Sequence, residues 1–436
     1  MARTRQASMT ALAAILIGGA GLAFGQVGGD RAIAASDAAR RFQTKLAALD
    51  EDDARGRARL GRWAEERGLI AEAFAAYRDA LRIDRDQEIA YERWVKLASE
   101  HNPPADRERR QSLRKRFGEM ELLATDHFLV LYDGDEDWAR LRGALLEKAH
   151  DAFYKTFRRM GFRPWPLTGR LVCVLYDSHD DYVAYSKRED GVDLGWAAGY
   201  YSTKTNRIVF YDDRNGPRFK EVAARVEELE SRRDDALERL DKAVRSQAHG
   251  SAIELRAYLR EVNEAVRWYR NRKESMARVG NASKTVHEAV HQLAFNSRLQ
   301  SRRTQYPFWL SEGLATNFEP DEPFDDFGPF HPNRARREGF QEQAAEGRLE
   351  PLASLVAIGR PDADDVERLA NQYDHAWALF RFLFRFERDK LRSYMAELAT
   401  NPGVRSGNEM RREFVEAFGS LERLEKRMQA YARRVR

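Results

Sequence analysis

Two histidines four residues apart, with a glutamate between them, constrain this chain more than any other stretch: His287-Glu288-Ala289-Val290-His291. Val286, Ala289, Val290 and Leu293 recur around it at helical spacing, so residues 282–295 read as a helix. On a helix, positions i and i+4 share a face, and the two imidazoles converge on one point. Two converging neutral imidazoles suit a zinc ion. Glu288 beside them can take a proton from an attacking water. A catalytic zinc needs a third protein ligand, so a further donor is expected elsewhere in the chain.

The stretch Trp309-Leu310-Ser311-Glu312-Gly313-Leu314-Ala315 follows after a short loop and opens a second apolar-faced segment, Ser311–Phe318. Together the two stretches resemble the gluzincin branch of HExxH zinc metallopeptidases, which includes the thermolysin-like enzymes and the alanyl-aminopeptidase type. The second is similar to the WLNEG-F-A pattern of those aminopeptidases, with Ser311 and Leu314 as departures. The resemblance is close over Lys284–Glu319. It is looser over Asp126–Arg436, which is similar to a family of uncharacterised exported proteins of the same clan.

The resemblance implies one zinc ion per chain, held by His287, His291 and Glu312, with Glu288 as the catalytic base. It also implies an oxyanion donor, a Tyr or His from a later helix. Tyr373 and His375, in the segment Asn371–Phe386, are the two candidates. Thermolysin-type enzymes support their imidazoles with an Asp four residues after the ligand Glu. Thr316 stands at that position here, with Asn317 next to it. Aminopeptidases of the clan anchor the substrate amine with a Glu in a Gly-x-Met-Glu-Asn strand. Gly195-Trp196-Ala197-Ala198-Gly199 offers no carboxylate, which favours internal cleavage of a peptide or protein substrate.

The rest of the chain places this core. Residues 1–25 read as a secretory signal: Arg3 and Arg5 precede an apolar run, Thr10–Phe24, with Ala23 and Gly25 at small-residue cleavage positions. The run is short for a membrane span, so an exported protein with no stable span after cleavage is expected. The 74 basic and 70 acidic residues are interspersed, leaving a net charge of +4, and no field gathers nucleic acid. The single cysteine, Cys173, sits in an apolar strand-like run and reads as a buried structural thiol.

The expected fold class is α+β: a zincin-like catalytic domain over residues 124–436, with a small mixed sheet and active-site helices. Residues 26–37 read as a linker. Residues 38–118 read as helical and TPR-like, because Leu60, Gly61, Gly68, Ala73, Tyr77, Ala80 and Leu81 fall on repeat spacing. That region is either a packed cap or a surface for a protein partner. His127–Tyr132, Arg170–Tyr176, Tyr200–Ser202 and Ile208–Tyr211 read as strands, and Trp138–Arg159 as a helix. Gly199–Tyr211 is either the cleft-edge strand or an interior pair. Residues 217–277 read as an inserted helical hairpin turning at His249-Gly250. Two other functions remain open from sequence: a catalytically inactive zinc-site scaffold that binds partners through the TPR-like cap and the hairpin, and a zinc hydrolase of non-peptide substrates.

Overall fold

The structure is a computed structural model that describes residues 27–84, 86–100, 105–279, 282–323, 325–331, 333–361 and 365–432. The signal-peptide reading of residues 1–25 lies outside the described residues. The chain forms two compact units, residues 1–97 and 98–436.

The first unit holds α1 (Val27–Ala47), α2 (Ala54–Glu65), α3 (Ile70–Ile83) and most of α4 (Glu88–Glu100). Residues 27–37, expected as a linker, are instead the first half of α1. The alanine-rich run from Ala32 to Ala39 has high helix propensity, which outweighs the flanking Gly28-Gly29. α2 and α3 form a helix–turn–helix pair. Gly68 takes the left-handed conformation in the turn (φ +70), and Gly61 leaves room for the Tyr77 ring, which a Cβ would meet at 2.6 Å. The Tyr77 hydroxyl donates to Glu65 at 2.8 Å.

The second unit begins with α5 (Ala105–Arg116), which by sequence reads as part of the TPR-like region 38–118. Leu113 and Phe117 pack instead on the sheet, beside Leu129, Tyr176 and Tyr185. The unit continues through β1 (Glu121–Ala124), β2 (Phe128–Tyr132), α6 (Glu136–Arg159), β3 (Leu171–Tyr176), α7 (His179–Asp190), β4 (Gly199–Ser202) and β5 (Arg207–Tyr211). These strands form one mixed sheet in the order β1-β2-β3-β5-β4. β2, β3 and β5 run parallel; β1 and β4 are antiparallel edges. The expected edge strand is therefore β4, and β5 is interior. Strand alternation sends Phe128, Val130, Cys173, Ile208 and Phe210 to one face and Leu129, Leu131, Val174 and Val209 to the other. Both faces are covered, which is why the parallel strands read as unbroken apolar runs.

The expected hairpin is α8 (Pro217–Arg245) and α9 (His249–Val279), joined at Leu229, Val262 and Val266. Its turn lies at Ser246–Ala248 rather than at His249-Gly250, because Gln247 takes the left-handed conformation (φ 55) and the histidine opens α9. The helices that follow are α10 (Ala282–Asn296), α11 (Phe308–Thr316), α12 (Arg334–Ala345), α13 (Leu352–Leu355), α14 (Val366–Phe386), α15 (Arg388–Thr400), α16 (Gly407–Phe418) and α17 (Leu421–Ala432). No described helix is long and apolar enough to cross a membrane. The architecture is thus α+β, mostly helical around a small mixed sheet.

Three polar contacts fix α10, the HExxH helix, on the sheet. Gln292, fully buried, donates to the carbonyls of Val172 (3.1 Å) and Asn206 (2.9 Å). Asn296 and Asn206 exchange amide hydrogen bonds at 2.9 and 3.0 Å. At the other end, Arg142 of α6 donates to Thr285 (2.6 Å) and pairs with Asp213 (3.1 Å). Arg142 is 1% exposed and Asp213 8%, so removing one partner strands a buried charge. Arg142→Met is expected to cost about 3 kcal/mol of stability, read as a lowered denaturant midpoint. A midpoint unchanged from wild type would contradict this account of how α10 is anchored.

Candidate metal centre

α10 is buried nearly all round, and its residues divide among three surroundings. Val286, Ala289, Val290 and Leu293 enter the main core. Gln292 and Asn296 meet the sheet. Lys284, His287, Glu288 and His291 share the remaining side, towards Glu312 of α11 and Tyr373 of α14. The approach of these two helices depends on Gly313: a Cβ there would stand 2.5 Å from the Ala376 carbonyl oxygen. Gly313 therefore follows Glu312 for a packing reason, since it lets α14 bring Tyr373 up to the site.

Three residues bring their donor atoms together. His287 Nε2 lies 3.1 Å from His291 Nε2 and 3.0 Å from Glu312 Oε2, and His291 Nε2 lies 3.5 Å from Glu312 Oε1. Ligands 2.0–2.1 Å from a tetrahedral ion stand about 3.3 Å apart, so these separations match a metal-binding triangle. The ring tautomer agrees. His287 Nδ1 is 2.8 Å from Glu319 Oε1, and that carboxylate calls for an N–H donor. A neutral His287 then turns a bare Nε2 towards Glu312 and His291. Acceptors facing one another need a positive charge between them, which a proton or a cation supplies.

The electrostatics describe the same pocket. Burial and the Lys284 ammonium push His287 down, but the Glu312 and Glu319 carboxylates more than offset them, so its pKa stands raised. Burial would raise Glu312, yet the two imidazoles hold it well below the carboxylate range. Glu319 is held at about 2 against its burial, chiefly by Arg336. Arg336 grips both Glu319 oxygens (2.9 and 3.2 Å) and reaches Asp374 at 3.1 Å. Burial nonetheless pushes Asp374 up to about 6.

Glu288 points beside the triangle with both oxygens engaged. Oε1 is 2.7 Å from Lys284 Nζ, and Oε2 accepts from the backbone N–H of Tyr201 on β4 at 2.8 Å. Burial pushes Glu288 up; Lys284, then His287 and His291, outweigh it and hold the group below its usual value.

The structure brings His287, His291, Glu312, Glu288 and Tyr373 together and leaves His375 out. The Tyr373 ring centroid is 6.2 Å from that of His287. Burial, with Glu312 and Glu288 nearby, pushes its phenol well up, so it keeps its proton and can donate. His375 is two residues further along α14 and so points to the opposite side. It packs on Phe340 and lines a cavity of about 570 Å³ with Leu352 and Met428. Burial pushes it down to about 4, and its Nδ1 has no hydrogen-bond partner among the described residues.

Sequence reasoning missed Glu319, Arg336, Asp374 and Lys284. Thr316 and Asn317, which occupy the position expected for imidazole support, bond only to backbone carbonyls. Glu319 takes that role from the loop after α11, where no helical spacing announces it. Lys284 stands four before Glu288, on the same side of α10, which is the signal that was available.

A second group, His127, Glu147 and His150, also gathers donor atoms. Its imidazoles are stacked at 3.5 Å between centroids and 18° between planes. In-plane lone pairs on stacked rings do not meet, so this group is a brace: His127 bonds Glu147 at 2.6 Å and ties β2 to α6.

Two outcomes are expected. Glu319→Gln keeps the shape and removes the charge, and should weaken metal binding roughly 10–100-fold in a chelator competition with the fold intact. Unchanged affinity would remove Glu319 from the centre. His375 is charged in the unfolded chain below about pH 6.5 but stays neutral in the folded one down to about 4. Across that window the unfolded state binds the extra proton, so stability falls as pH falls. Relative to His375→Leu, the wild type should lose about 3 kcal/mol between pH 7 and 4 in denaturant titrations. Parallel pH profiles would show that His375 is protonated in the fold.

Residues 281–405 are similar to a family described as "Protein of unknown function (DUF1570)". The matched stretch runs from α10 through α15 and contains every side chain of the metal centre, while the sheet lies outside it. No curated protein and no solved structure matches the chain.

Proposed function

We propose that the protein is an exported, zinc-dependent metallopeptidase with a zincin-like catalytic domain. The observation that carries this reading is the triangle of His287 Nε2, His291 Nε2 and a Glu312 carboxylate oxygen, with Glu288 alongside. The donor set fits the ion: two imidazoles and one carboxylate are a zinc ligand set with a position left for substrate. Zinc, when bound there, supplies Lewis acidity towards a water and a carbonyl. Ca2+ and Mg2+ prefer all-oxygen ligands, which two imidazoles do not provide.

The other residues take their roles from placement. Glu319 and Arg336 hold His287 in the tautomer that presents Nε2. Glu288 accepts a proton from the attacking water and delivers it to the leaving amine. Tyr373 donates its phenolic proton in a hydrogen bond to the oxygen that gains charge. β4 is an antiparallel edge beside α10 and the candidate strand for an extended peptide, which would pair with the edge groups other than the Tyr201 N–H held by Glu288. With no carboxylate in Gly195–Gly199 to hold an amine, internal cleavage is favoured.

A second reading, a zinc-site scaffold without catalysis, draws support from the engagement of both Glu288 oxygens in the free protein. One experiment separates the two: zinc content and peptide hydrolysis of the wild type, Glu312→Ala and Glu288→Gln. About one zinc per wild-type chain, lost in Glu312→Ala and kept in Glu288→Gln with hydrolysis down roughly 10²–10⁴-fold, is expected. No zinc in wild type prepared without chelators would sink the metal site. Full hydrolysis by Glu288→Gln would sink the mechanism.

A further inference from the structure

Lys284 is placed unlike the other charged groups of the cleft. Arg336 is held between Glu319 and Asp374, behind the ligands. Lys284 stands one helical turn before Glu288, on the side of α10 that carries the ligands. Its side chain keeps 30% of its surface exposed, against 7% for Glu288 and 19% for Glu312. A primary ammonium thus stands partly exposed, directly against the base.

That ammonium has a chemical consequence. With Lys284 on Oε1 and the Tyr201 N–H on Oε2, each Glu288 oxygen already accepts one hydrogen bond and keeps one acceptor position for a water. The ammonium on Oε1 crowds that position, and drawing it away opens the oxygen. The Tyr201 N–H belongs to a strand paired along its length with β5 and moves only with the sheet. The lysine is on a flexible stem with rotatable donors and is the contact that can yield. A carboxylate on a bound substrate offers it a replacement partner of the same chemistry. A neutral or cationic group does not.

We propose that Lys284 is a specificity-determining residue that selects peptides bearing an acidic side chain next to the scissile bond. The substrate carboxylate pairs with Lys284 and draws it from Glu288 Oε1, which leaves that oxygen more open to the water. Peptides that lack the acid forgo the pairing and are bound and hydrolysed less well. This inference rests on the peptidase reading and names the substrate class of the same site.

The test uses the full zinc-loaded chain and matched peptides with Glu, Gln or Lys placed on either side of the scissile bond. Hydrolysis is measured beside binding of fluorescent analogues whose scissile amide is reduced and cannot be cleaved. The wild type should prefer the Glu peptide over the Gln peptide at least about tenfold, as expected for a charge-assisted pair, with the Lys peptide poorest. The gain should appear in kcat as well as in KM, because the base is released. Lys284→Glu should reverse the order, and Lys284→Met should level it; the Met variant decides if the Glu variant does not fold. Wild type and a zinc-retaining Met variant ranking the peptides alike would overturn the proposal and leave the peptidase reading standing. Failure of the wild type to cleave or bind any of the peptides would overturn both.

Discussion

Burying charge is costly unless each charge meets its complement, and this constraint governs how the second unit is built. His287 is almost fully buried and touches carboxylates on both nitrogens, Glu312 on one side and Glu319 on the other. Glu319 is stable there because Arg336 grips it, and Arg336 because Asp374 shares it. The chain His287–Glu319–Arg336–Asp374 therefore ties α10, the loop after α11, α12 and α14 together with directed contacts. Apolar packing supplies the bulk of the burial, but only these contacts specify which rotamer and which tautomer the imidazole adopts.

The same logic explains the supports further out. α10 must carry its polar side chains into a core, so each needs a partner at a fixed place. Gln292 finds two backbone carbonyls, one on β3 and one at the β4–β5 turn. Asn206 takes the left-handed conformation in that turn (φ 56) and turns its amide to Asn296. Arg142 reaches across from α6 to Thr285. Together they hold the helix against the sheet at the height that puts Glu288 beside the Tyr201 N–H of β4. Gly313 does the matching service on the opposite wall, where only the absence of a side chain lets α14 approach.

What could be read in advance follows physical range. His287, Glu288 and His291 were legible because their relation is a property of one helix. Glu312 needed a resemblance, since no local rule links a residue on α11 to one on α10. β2, β3, α6 and the hairpin were legible from periodicity. β1 was not, because four residues, Glu121-Leu122-Leu123-Ala124, carry too little pattern and Leu and Ala favour helix. The early start of α1 was hidden by small residues that serve loops and helices alike. α5 looked like part of the helical region before it, and only its packing on the sheet through Leu113 and Phe117 assigns it elsewhere. Tyr373 and His375 could not be ranked by type. The helix decides, because two residues along α14 is just over a half-turn, and one ring faces the ligands while the other faces Phe340.

A count of charge gives the metal reading a support independent of ligand geometry. Glu288, Glu312, Glu319 and Asp374 bring four carboxylates into one connected cluster, and Lys284 and Arg336 are the side-chain cations that pair with them. Two negative charges are left over when both imidazoles are neutral. Protons on the two imidazoles or one divalent ion would neutralise them, in either case where the His287, His291 and Glu312 donors converge. A cluster braced with salt bridges only for stability would be expected to balance with its own side chains, as Arg142 and Asp213 do on the far side of α10. The imbalance sits at the ligands, and so does the steepest demand for a cation.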